Sequence, residues 1–425
     1  MKRTTRRISA TAGVRSAAAA AALAVATMPS AAQQRQAEPA TGTRAVMVGA
    51  HVVPLITHVS PILAGAAKTE AYLTQPTLLG DAAALGGAVR ARAALSLEGV
   101  TLERGELGAG ASGEGYVDRR HPHTYVHELV VSGQYDVRRS AASVAAGRGF
   151  APFGTDDPMM RPFVKFPVNH HLGQVLERLV LIVGVRTGPL AAEAGVFNGN
   201  EPLDAEDMGS LERFGDSWAG RVTLVALEGL EVQASHAWIE SPELPSGGGW
   251  DQRKWSASAR YEHEHPSGVL YALAEWNRTT LVDRGSDVFA VGSLLAEAAL
   301  AVGAWRPALR LERSERPEEQ RAGDPFRTPW PHGGGHVLGI TRWTSASARI
   351  ERTIGTGAFG IAPFLEGSVA HVTETAGGLF DPLEFYGSAT IWTINVGARL
   401  RAGWHPSRMG RYGVAATTAA PVHGH

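Results

Sequence analysis

The chain has 425 residues, with 40 lysines and arginines against 41 aspartates and glutamates, 50 glycines and no cysteine. Balanced charge gives no reason to expect nucleic acid as a partner. The lack of cysteine excludes disulfides, thiolate metal sites and a lipoprotein-type N-terminal anchor.

The N-terminus reads as an export signal. Lys2, Arg3, Arg6 and Arg7 form a basic start, Ala17 to Met28 a short apolar core, and Ser30-Ala31-Ala32 a small-residue cleavage site. That core is too short and too rich in alanine for a membrane anchor. Residues 1–32 are expected to be a signal peptide, 33–43 a linker and 44–405 a single domain. No later stretch approaches the roughly 18 to 20 unbroken apolar residues of a membrane helix.

Alternation of apolar and polar residues takes the helix's place. Candidate strands lie near 45–57, 69–80, 89–101, 123–136, 139–149, 173–187, 189–198 and 215–227 in the first half. They continue near 229–240, 251–263, 268–279, 285–300, 303–315, 336–352, 357–373 and 388–404. Pro54 and Pro76 interrupt the first two, which leaves fourteen strands as the fallback count. The final strand is the clearest. Trp392, Ile394, Val396, Ala398, Leu400, Ala402 and Trp404 alternate with Thr393, Asn395, Gly397, Arg399, Arg401 and Gly403, so one face is apolar and the other polar. A tilted strand of this length rises about 30 Å, close to a bilayer's hydrocarbon thickness. Trp218, Val222 and Leu224 repeat the pattern, as do Trp255, Ala257 and Tyr261, with tryptophans placed as in an interfacial girdle.

Connections after strands 1, 3, 5, 7, 9, 13 and 15 are expected to be long, that after strand 11 medium, and those after even strands tight. This asymmetry is that of outer-membrane barrels. The expected fold is therefore all-β: a transmembrane antiparallel up-and-down β-barrel of about 16 strands, with short periplasmic turns and long outer loops. It would sit in outer-membrane lipid, delivered by the barrel assembly machinery. Trp404 holds the place of the aromatic residue on which such barrels usually close. Residues 406–425 show no periodicity and are expected to be disordered.

The connection after strand 5 contains Gly149-Phe150-Ala151-Pro152-Phe153-Gly154-Thr155-Asp156-Asp157. In glycine, aromatic and acid content it resembles the loop that folds into sixteen-stranded general porins and sets their constriction. The resemblance implies that Asp156 and Asp157, with Arg161 nearby, face arginines of the opposite wall. Strand parity turns Arg90, Arg92, Arg148, Arg178, Arg221, Arg399 and Arg401 inward, with more arginine than acid on that face. Such a lumen suits passive diffusion of small hydrophilic solutes or ions, with a homo-oligomer as one arrangement and no cofactor needed.

Four segments, Asp118-Arg119-Arg120-His121-Pro122-His123, Asn169-His170-His171, 197–202 and 240–243, also resemble a family of outer-membrane barrel proteins, some associated with copper or heavy-metal handling. That resemblance implies a second reading, metal binding or passage, with His121, His123, His127, His170, His171, Met159 and Met160 as candidate ligands. Imidazole and thioether suit copper, whereas Arg119 and Arg120 beside them would repel a cation. A plugged structural barrel is the third reading. Enzyme activity is not expected: no Gly-x-Ser-x-Gly elbow occurs, and His236 and Ser258 fall on opposite faces of neighbouring strands.

Overall fold

The computed structural model describes residues 45–102, 105–108, 122–168, 170–265, 268–319, 337–355, 359–376 and 378–417. The alternating segments are strands. They are β1 (Ala45–Leu63), β2 (Ala66–Ala84), β3 (Val89–Ser96), β4 (Val126–Val137), β5 (Ser140–Gly149) and β6 (Arg178–Thr187). Then come β7 (Leu190–Asn198), β8 (Phe214–Leu227), β9 (Leu230–Ile239), β10 (Asp251–His265) and β11 (Gly268–Asp283). The last are β12 (Ser286–Ala301), β13 (Trp305–Glu319), β14 (Val337–Arg352), β15 (Phe359–Ala376) and β16 (Thr390–Gly403).

Each strand pairs antiparallel with the next, and β16 pairs back to β1, giving a closed barrel of sixteen strands. Closure satisfies every edge, as a strand structure in lipid requires. The seam runs in register from Gly49 opposite Gly403 to Ser60 opposite Trp392. Gly49 has to be glycine, because a Cβ there would lie 1.7 Å from the Trp404 carbonyl oxygen. No described helix is long and apolar enough to cross a membrane.

Period-2 alternation sorts the side chains. On β16, Trp392, Ile394 and Val396 are exposed on the outside, while Thr393, Asn395 and Arg399 are buried inside. Trp218 faces Trp238 across β8 and β9, and Trp255 and Trp276 also stand outward, each close to half exposed. An exposed apolar belt of this extent, edged with tryptophan, is satisfied by lipid.

Several expectations need correction. The connection after β1 is the two-residue turn Ala64–Gly65, and that after β11 is Arg284–Gly285. Both residues of each turn have positive φ, the geometry of tight hairpins. The first two strands run on past their prolines, so fourteen strands is excluded. β2 absorbs the interruption as a bulge at Gln75 and Pro76, where the register against β1 slips between His51 and Val53. Residues 97–101 and 173–177 leave the ladder, the first as a helical turn Glu98–Thr101. The tail from Pro406 is not disordered as far as 417. It folds back, and Met409, Arg411, Tyr412 and Val414 are buried. Its last residues, 418–425, lie outside the described residues.

Candidate functional site

The connection 150–177 leaves β5 and returns to β6, yet its backbone is held by strands from all round the barrel. Gly154 N donates to Ser235 Oγ of β9 at 3.0 Å, and Arg310 of β13 donates to the Lys165 carbonyl at 2.8 Å. Glu366 of β15 accepts from Val164 N and Lys165 N at 2.9 and 3.1 Å. Arg399 of β16 donates to the carbonyls of Arg161 and Pro162, and Gln75 of β2 to that of Val164. Only a segment lying across the lumen reaches all these walls. Its two legs cross at Gly154, whose φ is +69° and where a Cβ would meet the Gly173 carbonyl oxygen at 1.8 Å.

The tail enters from the opposite end. β16 finishes at the tight-turn end of the barrel, and residues 404–417 turn inward from there. Arg408 donates to Glu231 of β9 at 2.8 Å, Arg411 to Gln233 at 2.7 Å, and Val414 N to Ser143 Oγ of β5 at 3.0 Å. Tail and loop meet directly: the Tyr412 hydroxyl accepts from Phe150 N at 3.1 Å.

The arginines and acids read from the sequence are mostly fasteners for these two inserts. Asp156 is buried 3.7 Å from Arg408 and 4.0 Å from Arg260. Burial pushes its carboxyl up, but Arg408, Arg260 and Arg161 outweigh burial and hold it below the usual carboxylate range. Arg161 pairs with Glu275 at 2.9 Å, Arg221 with Glu193 at 2.7 Å and Arg178 with Glu201 at 3.3 Å. Arg90 and Arg92 share Asp81, and Arg92 also donates to the Arg411 carbonyl at 3.1 Å. Arg148 donates to the Val126 carbonyl and to Thr124 Oγ1. Arg401 stays half-buried beside Glu351. Asp157 departs from expectation, since it faces a histidine instead of an arginine.

That histidine is His127. Glu128 pairs with Ala94 but Val126 with Leu95, so His127 is the extra residue of a bulge. Strict alternation would send it outward; the bulge turns it in beside the equally buried Glu128. Its Nε2 lies 2.8 Å from Asp157 Oδ2 and its Nδ1 2.8 Å from Glu177 Oε1. Burial raises the Asp157 and Glu177 carboxyls, and the His127 hydrogen bonds more than reverse this, leaving both below the ordinary range. His123 packs against His127 with ring centroids 4.5 Å apart, and its Nδ1 lies 2.8 Å from Glu98 Oε2.

The other candidate ligands do not join this group. His170 and His171 stack on each other at 4.1 Å. Met159 packs with Leu79, Ala94 and Met409, with Met160 against that cluster. His121 lies outside the described residues. Glu177, Glu231, Arg408 and Arg411 were not singled out by sequence reasoning; the Arg408-Met409-Gly410-Arg411-Tyr412 run was the available signal. His236 stands outside between the rings of Trp218 and Trp255, while Ser258 accepts from Gln233 within, so the two form no catalytic pair.

A scan against family models gives no match, and neither does comparison with curated sequences. Solved structures do resemble the chain. An anion-selective porin from Comamonas acidovorans is 13% identical, with a TM-score of 0.48 over 85% of this chain and 100% of that one. A loop-deletion mutant of OmpT, an outer membrane protein of Vibrio cholerae, is 8% identical with the same score and coverage. The outer membrane protein opdK from Pseudomonas aeruginosa is 10% identical, with a TM-score of 0.42 over 85% of this chain and 99% of that one.

Proposed function

We propose that this chain is an outer-membrane, porin-like channel through which small hydrophilic solutes diffuse past a waist narrowed by the inserted loop and tail. The tight turns and the tail then face the periplasm, and the long connections face outward. The observation that carries this reading is the closed sixteen-strand barrel with a polar inner face, in which a recess of only about 10 Å³ stays open between the loop and the β11–β13 wall, lined by Arg161, His170, Glu275, Asn277, Ser293 and Glu312. A barrel of sixteen strands is too wide for wall side chains alone to fill. Here the polar loop and tail fill much of it, and the solute path would run between these inserts and the wall.

A plugged structural barrel is the second reading, favoured by the near-complete burial of Arg399 and Glu366, at 1% and 2% exposure, against the loop backbone. Single-channel recording of the refolded full chain in planar bilayers separates the two. Discrete small steps are expected. Intact insertion with no steps at any voltage would leave the plugged barrel in place of the channel.

A further inference from the structure

We propose that His123, His127 and Glu177 bind one divalent transition-metal ion, which clamps the inserted loop to the wall at the outer end of the lumen. One ligand atom from each of these three residues lies within 4.8 Å of the others, and all three residues are buried. Two imidazoles and a carboxylate suit zinc, cobalt or nickel. The thioethers that would favour Cu(I) pack elsewhere.

The surroundings are those of a built site. A ligating histidine characteristically donates its other ring N–H to a carboxylate, which fixes the ring and raises its basicity. Both histidines have that carboxylate. Glu98 holds Nδ1 of His123 at 2.8 Å, and Asp157 holds Nε2 of His127 at 2.8 Å. This assigns the metal to the Nδ1 side of His127, where Glu177 Oε1 already sits at 2.8 Å. Both ring nitrogens of His127 thus lie within hydrogen-bond distance of a carboxylate, one from each leg of the loop. A bound metal would take Nδ1 as its ligand, with Nε2–H held on Asp157. Three carboxylates, Glu98, Asp157 and Glu177, then surround one dication and two neutral imidazoles. That carboxylate-rich shell suits a dication.

The five residues come from four places: the turn after β3, the entry to β4, the β4 bulge and both legs of the inserted loop. A metal here therefore joins wall to loop. The idea goes beyond the channel reading and stands or falls apart from it.

The test is titration of the refolded full-length barrel with Co²⁺, read by its visible absorption, and with Zn²⁺ in competition against a chromophoric chelator. One equivalent is expected. His123→Ala and Glu177→Gln should abolish it. Glu98→Gln, at a residue that holds Nδ1 and the backbone N of His123 as well as Gln75 N and Thr74 but offers no ligand atom, should weaken it about 10- to 100-fold. Heat-modifiable migration confirms that each variant is folded. The double variant H170A/H171A, outside the site, should bind like the parent. No stoichiometric binding by the parent, or binding kept in folded His123→Ala, or binding lost in H170A/H171A, overturns the proposal. Conductance is recorded on the same samples. Metal binding without conductance sinks only the channel, and conductance without metal binding sinks only this site.

Discussion

Arg411 donates two hydrogen bonds to the carbonyl of Thr155, at 2.9 and 2.7 Å, and so ties the chain's tail to the middle of the inserted loop. Arg408 adds a third donor to the same oxygen at 3.3 Å. With the Tyr412–Phe150 and Arg408–Asp156 contacts, this backbone carbonyl joins two segments that enter the lumen from opposite ends.

Cutting that joint should widen the passage. A chain ending at His405, and separately the double variant R408A/R411A, should fold and show larger conductance steps than the parent. Arg411→Ala alone should cost about 1–3 kcal/mol of stability, because Arg408 still pairs with Glu231. Unchanged steps in both variants would show that the tail does not limit flow.

The closed barrel should be heat-modifiable. An unboiled sample in detergent should migrate differently from a boiled one and give a strand-type circular dichroism spectrum. Identical migration with a helical spectrum would rule out the fold.

The lumen should prefer anions mildly. Glu351 and Glu366 are two carboxylates among Arg399, Arg349, Arg401 and Arg306, and fixed positive charge in a narrow passage concentrates anions until salt screens it. Reversal potentials in a KCl gradient measure this. Glu351→Gln should strengthen the preference and Arg401→Glu should weaken it; a cation-selective parent means that another charge group sets the waist.

Lowering pH should loosen the root of the tail. His405, just past β16, has Nε2 3.0 Å from the Ala50 carbonyl oxygen and faces His51 and Arg401. Burial and the Arg401 guanidinium hold its pKa down to about 4. The folded state keeps it neutral, whereas an unfolded tail takes up a proton near 6.5. Its contribution is therefore complete above about 6.5 and is lost as pH falls toward 4, by up to about tenfold per unit. Protease nicking of the tail should rise across that window, and His405→Gln should flatten the rise.

Gly154→Ala should dislodge the loop without opening the barrel. The new methyl meets the Gly173 carbonyl, and the φ of +69° disfavours any L side chain. Conductance should become noisy and larger while heat-modifiable migration persists. Parent-like traces would show that the legs can part at no cost to the waist.

The strands were legible because alternation reports which face each residue takes, and lipid outside with polar matter inside enforces it along every strand. The connection after β1 was misread because Pro54 and Pro76 look like interruptions, whereas β1 and β2 bend through them and continue to Leu63 and from Ala66. His127 was named as a possible ligand, but its inward turn depends on a register slip against β3 that one strand's sequence does not reveal. The tail was misread for a different reason. A segment without secondary structure carries no period, and its order comes from Glu231, Gln233 and Ser143 on distant strands.

The Thr155 joint also sets a rule for the two sides of the membrane. Whatever draws residues 405–417 toward the periplasm takes donors away from the loop that opens outward, and whatever shifts that loop from outside takes their acceptor from the tail. By linkage the two effects are equal in free energy. A periplasmic ligand for the tail and an external ligand for the loop would therefore sense each other through this contact of tail and loop, and the barrel wall between them need not move.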